Sequence, residues 1–114
     1  MKTNDPKPGF DWINFGPVDS AVLAEFDAIR NPAIGRGSFL AVIARSEAGR
    51  NADLAPYAGK CQTGRAMFGR VRHAEYDRTR KTAMPRGVTR SGFLKAMVDT
   101  AKREGFVWQS PAQA

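Results

Sequence analysis

Apolar positions recur with helical spacing along much of this chain. Val22, Phe26 and Ile29 fall at i, i+4 and i+7, and Leu23 widens the stripe. They predict a helix from a cap at Asp19 or Ser20 to about Arg30. Pro32 ends it, because the residue before a proline disfavours helical geometry. After the turn Ile34–Gly37, Ser38 caps a second predicted helix, Phe39 to about Ala48, with Gly49 as its stop. The run Phe39–Ala44 is apolar all round, so a buried strand is the alternative there, and the length of the segment favours a helix.

Arg50 to Gly64, with Pro56, Gly59 and Gly64, reads as loop, with a turn of helix after Asp53. A third helix is predicted from about Arg65 to Thr79, capped by Thr63. Met67, Val71 and Ala74 share one face of it, and Gly69 weakens it by about 1 kcal/mol relative to alanine. Pro85 and Gly87 make 78–90 a loop. Ser91 then caps a last helix to Glu104, with Phe93, Met97 and Ala101 on one face and Leu94 and Val98 beside them. Gly105 fits a left-handed stop after which Phe106 folds back on Ala101, and Phe106–Trp108 reads as a short strand. Phe10, Trp12 and Phe15 form an irregular apolar patch. The expected fold is mainly α: a small helical domain of about four helices with at most a minimal sheet from the segments near Trp12 and Trp108. Residues 1–9 read as a disordered N-terminal arm, 10–108 as the domain and 109–114 as a polar tail.

Charge adds what periodicity does not. The chain has 114 residues and a formal net charge of +7. Residues 1–57 hold six Lys/Arg and seven Asp/Glu, whereas 58–114 hold twelve and four, so the excess lies wholly in the second half. Such one-sided basic character is the electrostatic footprint of a polyanion-binding surface. Seven arginines crowd between Arg65 and Arg90, the residue type suited to bidentate contact with phosphates and guanine edges. The bland alternative is a solvated basic face. No apolar run approaches the length of a membrane span, Met1–Gly9 does not read as a secretory signal, and the one cysteine, Cys61, suggests a reducing, cytoplasmic setting.

Catalytic signals are weak. Gly59–Ala66 has the glycine spacing of a phosphate-binding loop. Arg65 and Ala66, however, replace the lysine and the hydroxyl residue that mechanism needs, and no apolar strand precedes the loop. Its backbone amides remain candidates for a less demanding phosphate contact. Cys61 and His73, each the sole residue of its kind, do not make a metal site or a nucleophile with its base. Glu75 and Asp77 point to different sides of a helix and do not form an acid/base pair. The expectation is no enzyme, no cofactor and no metal.

The segment Arg86–Trp108 runs basic loop, Thr/Arg/Ser helix start, amphipathic helix, Lys-Arg-Glu-Gly, apolar strand. That order resembles the recognition helix and first wing strand of winged helix-turn-helix proteins, over 23 residues, with the second wing strand missing. The resemblance implies that Thr89, Arg90, Ser91 and Lys95 face base edges in a major groove. Among the aromatics, Tyr76, set among arginines, is the candidate for base stacking, and Phe93, Phe106 and Trp108 belong to the core.

The expected function is non-catalytic nucleic-acid binding, to duplex DNA rather than RNA. Phosphate contacts come from Arg65, Arg70, Arg72, Arg78, Arg80 and Lys81, and base or groove contacts from Arg86, Arg90 and Lys95. The alternative is a small adaptor or inhibitor docking the same arginines on an acidic protein or nucleoprotein surface. No membrane partner is expected, and a homodimer is compatible with either reading.

Overall fold

A computed structural model describes residues 12–62 and 64–108. The expected arm and tail, the place of Phe10 and the cap assigned to Thr63 lie outside the described residues. The fold is mainly helical with a minimal sheet.

Helix α1 spans Ser20–Ile29. Its cap, Asp19, accepts hydrogen bonds from the amides of Ala21 and Val22, and Val22, Leu23, Phe26 and Ile29 are its buried residues. The all-apolar segment is indeed helical: α2 spans Arg36–Arg45, starting from Gly35 rather than from a Ser38 cap. It stops at Ser46, whose hydroxyl donates to Ile43 O and accepts from Gly49 N, so one side chain closes α2 and opens the short α3, Glu47–Arg50. A 3-10 turn, Ala55–Tyr57, follows Asp53, whose carboxylate accepts from Ala55 N.

The predicted helix from Arg65 is the main departure. Its first half is extended. Strands β1 (Trp12–Asn14) and β2 (Pro17–Val18) pair antiparallel with β4 (Arg70–Arg72) and β3 (Ala66–Met67), respectively. Trp12 faces Arg72, Ile13 faces Val71, Asn14 faces Arg70, Pro17 faces Met67 and Val18 faces Ala66. The register does not slip between the two pairs, and Phe15 N donates to Gly69 O across the gap. The two short sheets are therefore one ribbon, bent where Gly16 (φ +106°) and Gly69 (φ +103°) adopt backbone angles that other residues rarely take. Those left-handed angles are incompatible with a helix through Gly69.

Helix α4 starts only at His73 and ends at Arg78. It runs on as a π-helical segment, Thr79–Ala83, and a 3-10 turn, Met84–Arg86, before Gly87 at φ +83°. The loop expected over 78–90 is thus helical as far as Arg86. Helix α5 spans Arg90–Glu104 and is capped by Thr89, whose hydroxyl accepts from Gly92 N. Ser91 is not the cap: it is buried, and its hydroxyl accepts from Asp19 N at 2.7 Å, tying the start of α1 to α5. Gly105 is left-handed and Phe106 N bonds back to Ala101 O, as the glycine stop implies. Phe106–Trp108 forms no strand. Trp108 N donates to Ile29 O instead.

Four phenylalanines join ribbon and helices. Phe68 meets Phe15 at 5.3 Å and Phe26 at 5.1 Å, and Phe26 meets Phe39 at 5.5 Å, all edge to face. Each such pair adds roughly 0.5–1.5 kcal/mol to the burial of the rings. Beneath them α5 is the central helix, with nine buried residues from Ser91 to Ala101. No helix among the described residues is long and apolar enough to cross a membrane.

Candidate nucleic-acid interface

Period-two alternation gives the ribbon two faces. The paired Ile13 and Val71 turn toward the core, and Val71 is fully buried. The neighbouring pairs, Trp12 with Arg72 and Asn14 with Arg70, therefore form the outer face. Trp12 is 40 % exposed, and the Arg72 guanidinium lies 4.1 Å from its ring centroid, a cation–π stack between directly opposed residues. The sequence reading missed Trp12, placing it in an apolar patch. Its partner strand lies far along the chain, so no local signal reveals that the ring faces outward among arginines.

A cleft of about 380 Å³ opens beside this face. It is lined by Trp12, Phe68 and Arg70 from the ribbon, and by Arg30 and residues 35–38 around the first turn of α2. Gly37 brings that turn against the ribbon: a Cβ there would collide with the Arg70 carbonyl and stand 2.7 Å from Cζ3 of Trp12. Arg36 reaches the carbonyls of Met67 and Phe68 and forms a two-pronged ion pair with Asp27, which also holds Arg30. Arg30, Arg36 and Arg70 line the cleft; among the described residues Asp27 pairs with Arg30 and Arg36, and Arg70 makes no ion pair.

The Arg36 hydrogen bond, opposed by burial and helped by Arg30, holds the Asp27 carboxyl below the usual carboxylate range. A depressed folded-state pKa contributes stability above the unfolded value of about 3.9, and that stability is lost as pH falls through the lower folded value. The native chain is therefore expected to be more stable than Asp27→Asn at neutral pH. The difference should shrink below about pH 4 and vanish once Asp27 is protonated in the folded state. Denaturant titrations of both proteins from pH 7 to pH 2 check this; a gap that stays constant with pH would contradict the ion pair.

Of the nine expected contact residues, Arg72 stacks on Trp12, and the other eight divide into two groups. Arg65, Arg70, Arg80, Lys81 and Arg86 are exposed. Of these, Lys81 lies 3.7 Å from Asp77, and Arg80 sits over the ring of Tyr76, the expected stacking residue, at 5.7 Å. Arg65, Arg70 and Arg86 make no ion pair among the described residues.

Three others are structural. Arg78 donates to the carbonyls of Ala44, Gly49 and Arg50 and lies over Phe93, with burial pushing its pKa down against the pull of Glu75. It ties the ends of α2 and α3 to α4, so its donors are directed to backbone carbonyls. Lys95 is held by Glu25 at 2.6 Å and by Asp99 at 3.5 Å. Arg90 is half-buried, packed over Gly16 at the bend of the ribbon. The helix start that resembled a recognition helix is thus committed inside the fold. Ser91 is buried, Thr89 caps the helix and donates to Cys61 O, and the wing strand is absent.

The catalytic candidates have other surroundings than their chemistry would need. The Gly59–Ala66 loop leads into a strand instead of the helix a nucleotide-binding loop requires. Burial raises the Cys61 thiol pKa, which disfavours the thiolate. His73 Nδ1 lies 3.0 Å from Asp77, and the buried Glu75 pairs with Arg45. Among the described residues no three His, Cys, Asp or Glu side chains gather to hold a metal ion. In comparisons with known proteins, no family model, curated protein or solved structure matches the chain.

Proposed function

We propose that this protein binds nucleic acid without catalysis, and that the outer face of the ribbon with its adjoining cleft is the contact surface. The observation that carries this reading is the pairing of an exposed Trp12 with Arg72, beside Arg70 and Asn14, on one face. Guanidiniums meet phosphates, an aromatic ring meets a base, and an asparagine amide both donates and accepts. Arg65 and Arg86 are further exposed cations. Their phosphate contacts set affinity and salt dependence without reading sequence.

The test is binding of a labelled random duplex and a labelled random single strand across a salt series. Tight binding with a steep salt slope is expected. Reversing Arg65 and Arg70 to glutamate should weaken binding and flatten the slope by about two units, one per phosphate contact. Binding weaker than micromolar to both probes at low salt, or an unchanged slope in the double reversal, overturns the proposal. One observation favours a second reading, docking of the same surface on an acidic protein. Met67 on β3 is 55 % exposed, apolar area on the ribbon that a protein partner covers more readily than a phosphate backbone does. A partner captured through this face, with no salt-dependent nucleic-acid binding, would select that reading.

A further inference from the structure

Resting on that reading, we infer that the cleft between Trp12 and the first turn of α2 takes an unpaired nucleobase, so that the preferred ligand is single-stranded nucleic acid rather than duplex. Three observations converge. The cleft, at about 380 Å³, lies within the range of small-molecule sites and joins an aromatic wall to guanidiniums. Trp12 lines it, and the Arg72 guanidinium covers one face of the indole and holds the ring in place, so that a base stacks on the face Arg72 leaves open. Arg70, directly across the ribbon from Asn14, lines the same cleft and is exposed, placed to meet the phosphate of a nucleotide whose base lies on Trp12.

The opposite wall combines the backbone of two glycines with the side chains of Arg30, Arg36 and Ser38. Gly37 closes one end of the cleft, with no room for a methyl between it and the edge of Trp12, whereas a Cβ built at Gly35 meets nothing within 4 Å, so the cleft is open to solvent on the Gly35 side. Phe68 lines the cleft from the bend of the ribbon and is itself fully buried. A duplex keeps its bases stacked in the helix interior, and extruding one has a cost in free energy that a single strand avoids. The groove-reading alternative needs a free early face on α5, and there Ser91, Gly92, Phe93 and Leu94 are buried while Lys95 is held by Glu25.

The experiment uses the full chain carrying Trp108→Phe, which leaves Trp12 as its one tryptophan. Trp12 fluorescence is followed during titration with oligo-dT, oligo-U, a hairpin-free duplex of the same length and the mononucleotide dTMP. Saturable quenching by the single strands is expected, with little change on adding duplex. In a labelled-probe assay on the native background, Trp12→Ala should lose roughly ten- to a hundredfold in single-strand affinity. Duplex affinity should stay within about twofold, and Trp12→Phe should recover most of the loss. Trp12→Phe keeps an aromatic ring against Gly37, so a loss in the alanine variant through misfolding alone is recognised by its failure to spare duplex binding.

Salt-dependent binding without Trp12 quenching, or an equal loss on both probes, overturns the stacking inference and leaves the proposed function standing. Equal quenching by dTMP and the oligomers overturns the assignment of a strand and makes the cleft a mononucleotide site. No binding to any probe overturns both the inference and the function it rests on.

Discussion

Replacing Arg78 by alanine is expected to lower stability by about 2–4 kcal/mol, because its charge-assisted hydrogen bonds end on carbonyls that no other side chain serves in the described structure. The guanidinium reaches Ala44 O at 3.3 Å, Gly49 O at 2.7 Å and Arg50 O at 3.4 Å, the carbonyl ends of α2 and α3. Cations are favoured at such ends, and this one is also packed over Phe93. For a chain of this size the loss corresponds to a drop in Tm on the order of 10 °C. Glutamate at the same place is worse, setting a carboxylate against those oxygens and near Glu75, which the Arg45 guanidinium already pairs. Thermal melts of Arg78→Ala beside Arg80→Ala separate the cases, since Arg80 is exposed and its loss should stay within about 0.5 kcal/mol. Equal melting of the two variants would contradict the structural role.

Gly37→Ala should be the most damaging of the small-residue changes near the cleft. The added methyl collides with the backbone carbonyl of Arg70 and comes within 2.7 Å of the Trp12 ring. Neither obstacle is the far end of a flexible chain, so α2 and the ribbon must separate. Overpacking of this kind costs typically 1–3 kcal/mol, and alanine's better helix propensity returns at most about 1 kcal/mol. A net loss of about 2 kcal/mol is expected, together with a changed near-ultraviolet signal from Trp12. Gly35→Ser is the contrasting variant. It has open space, an ordinary extended backbone at φ −63°, and the capping position of α2, which lacks a side-chain cap. It should be neutral or slightly stabilising. If Gly37→Ala melts like the native chain, α2 does not hold the ribbon as described.

The helical half of this fold was legible because its signals are local. The Val22–Phe26–Ile29 stripe with Asp19 before it, and the Phe93–Met97–Ala101 stripe with Gly105 after it, are properties of consecutive residues. α1 stands where that spacing puts it, and α5 ends at the expected Glu104 but starts two residues earlier than a Ser91 cap would have it. The basic excess of the second half is likewise a matter of composition. The ribbon was not legible, because residues 12–18 find their partners at 66–72. Met67, Val71 and Ala74 have helical spacing, and only the distant strand, with two left-handed glycines, makes that stretch extended.

The roles of the arginines depend on the same long-range geometry. Sequence treats Arg70, Arg78 and Arg90 alike as members of one basic run. Tertiary structure leaves Arg70 on an open face, turns Arg78 into the tie between helix ends and packs Arg90 over the bend at Gly16. Lys95 is neutralised by Glu25, an acidic residue from the half of the chain whose charge looked unrelated. Local spacing and composition thus determined that the chain is helical and basic. Which cations and which tryptophan face outward was decided only when remote segments paired, since a side chain's exposure is set by what packs against it and not by its neighbours in sequence.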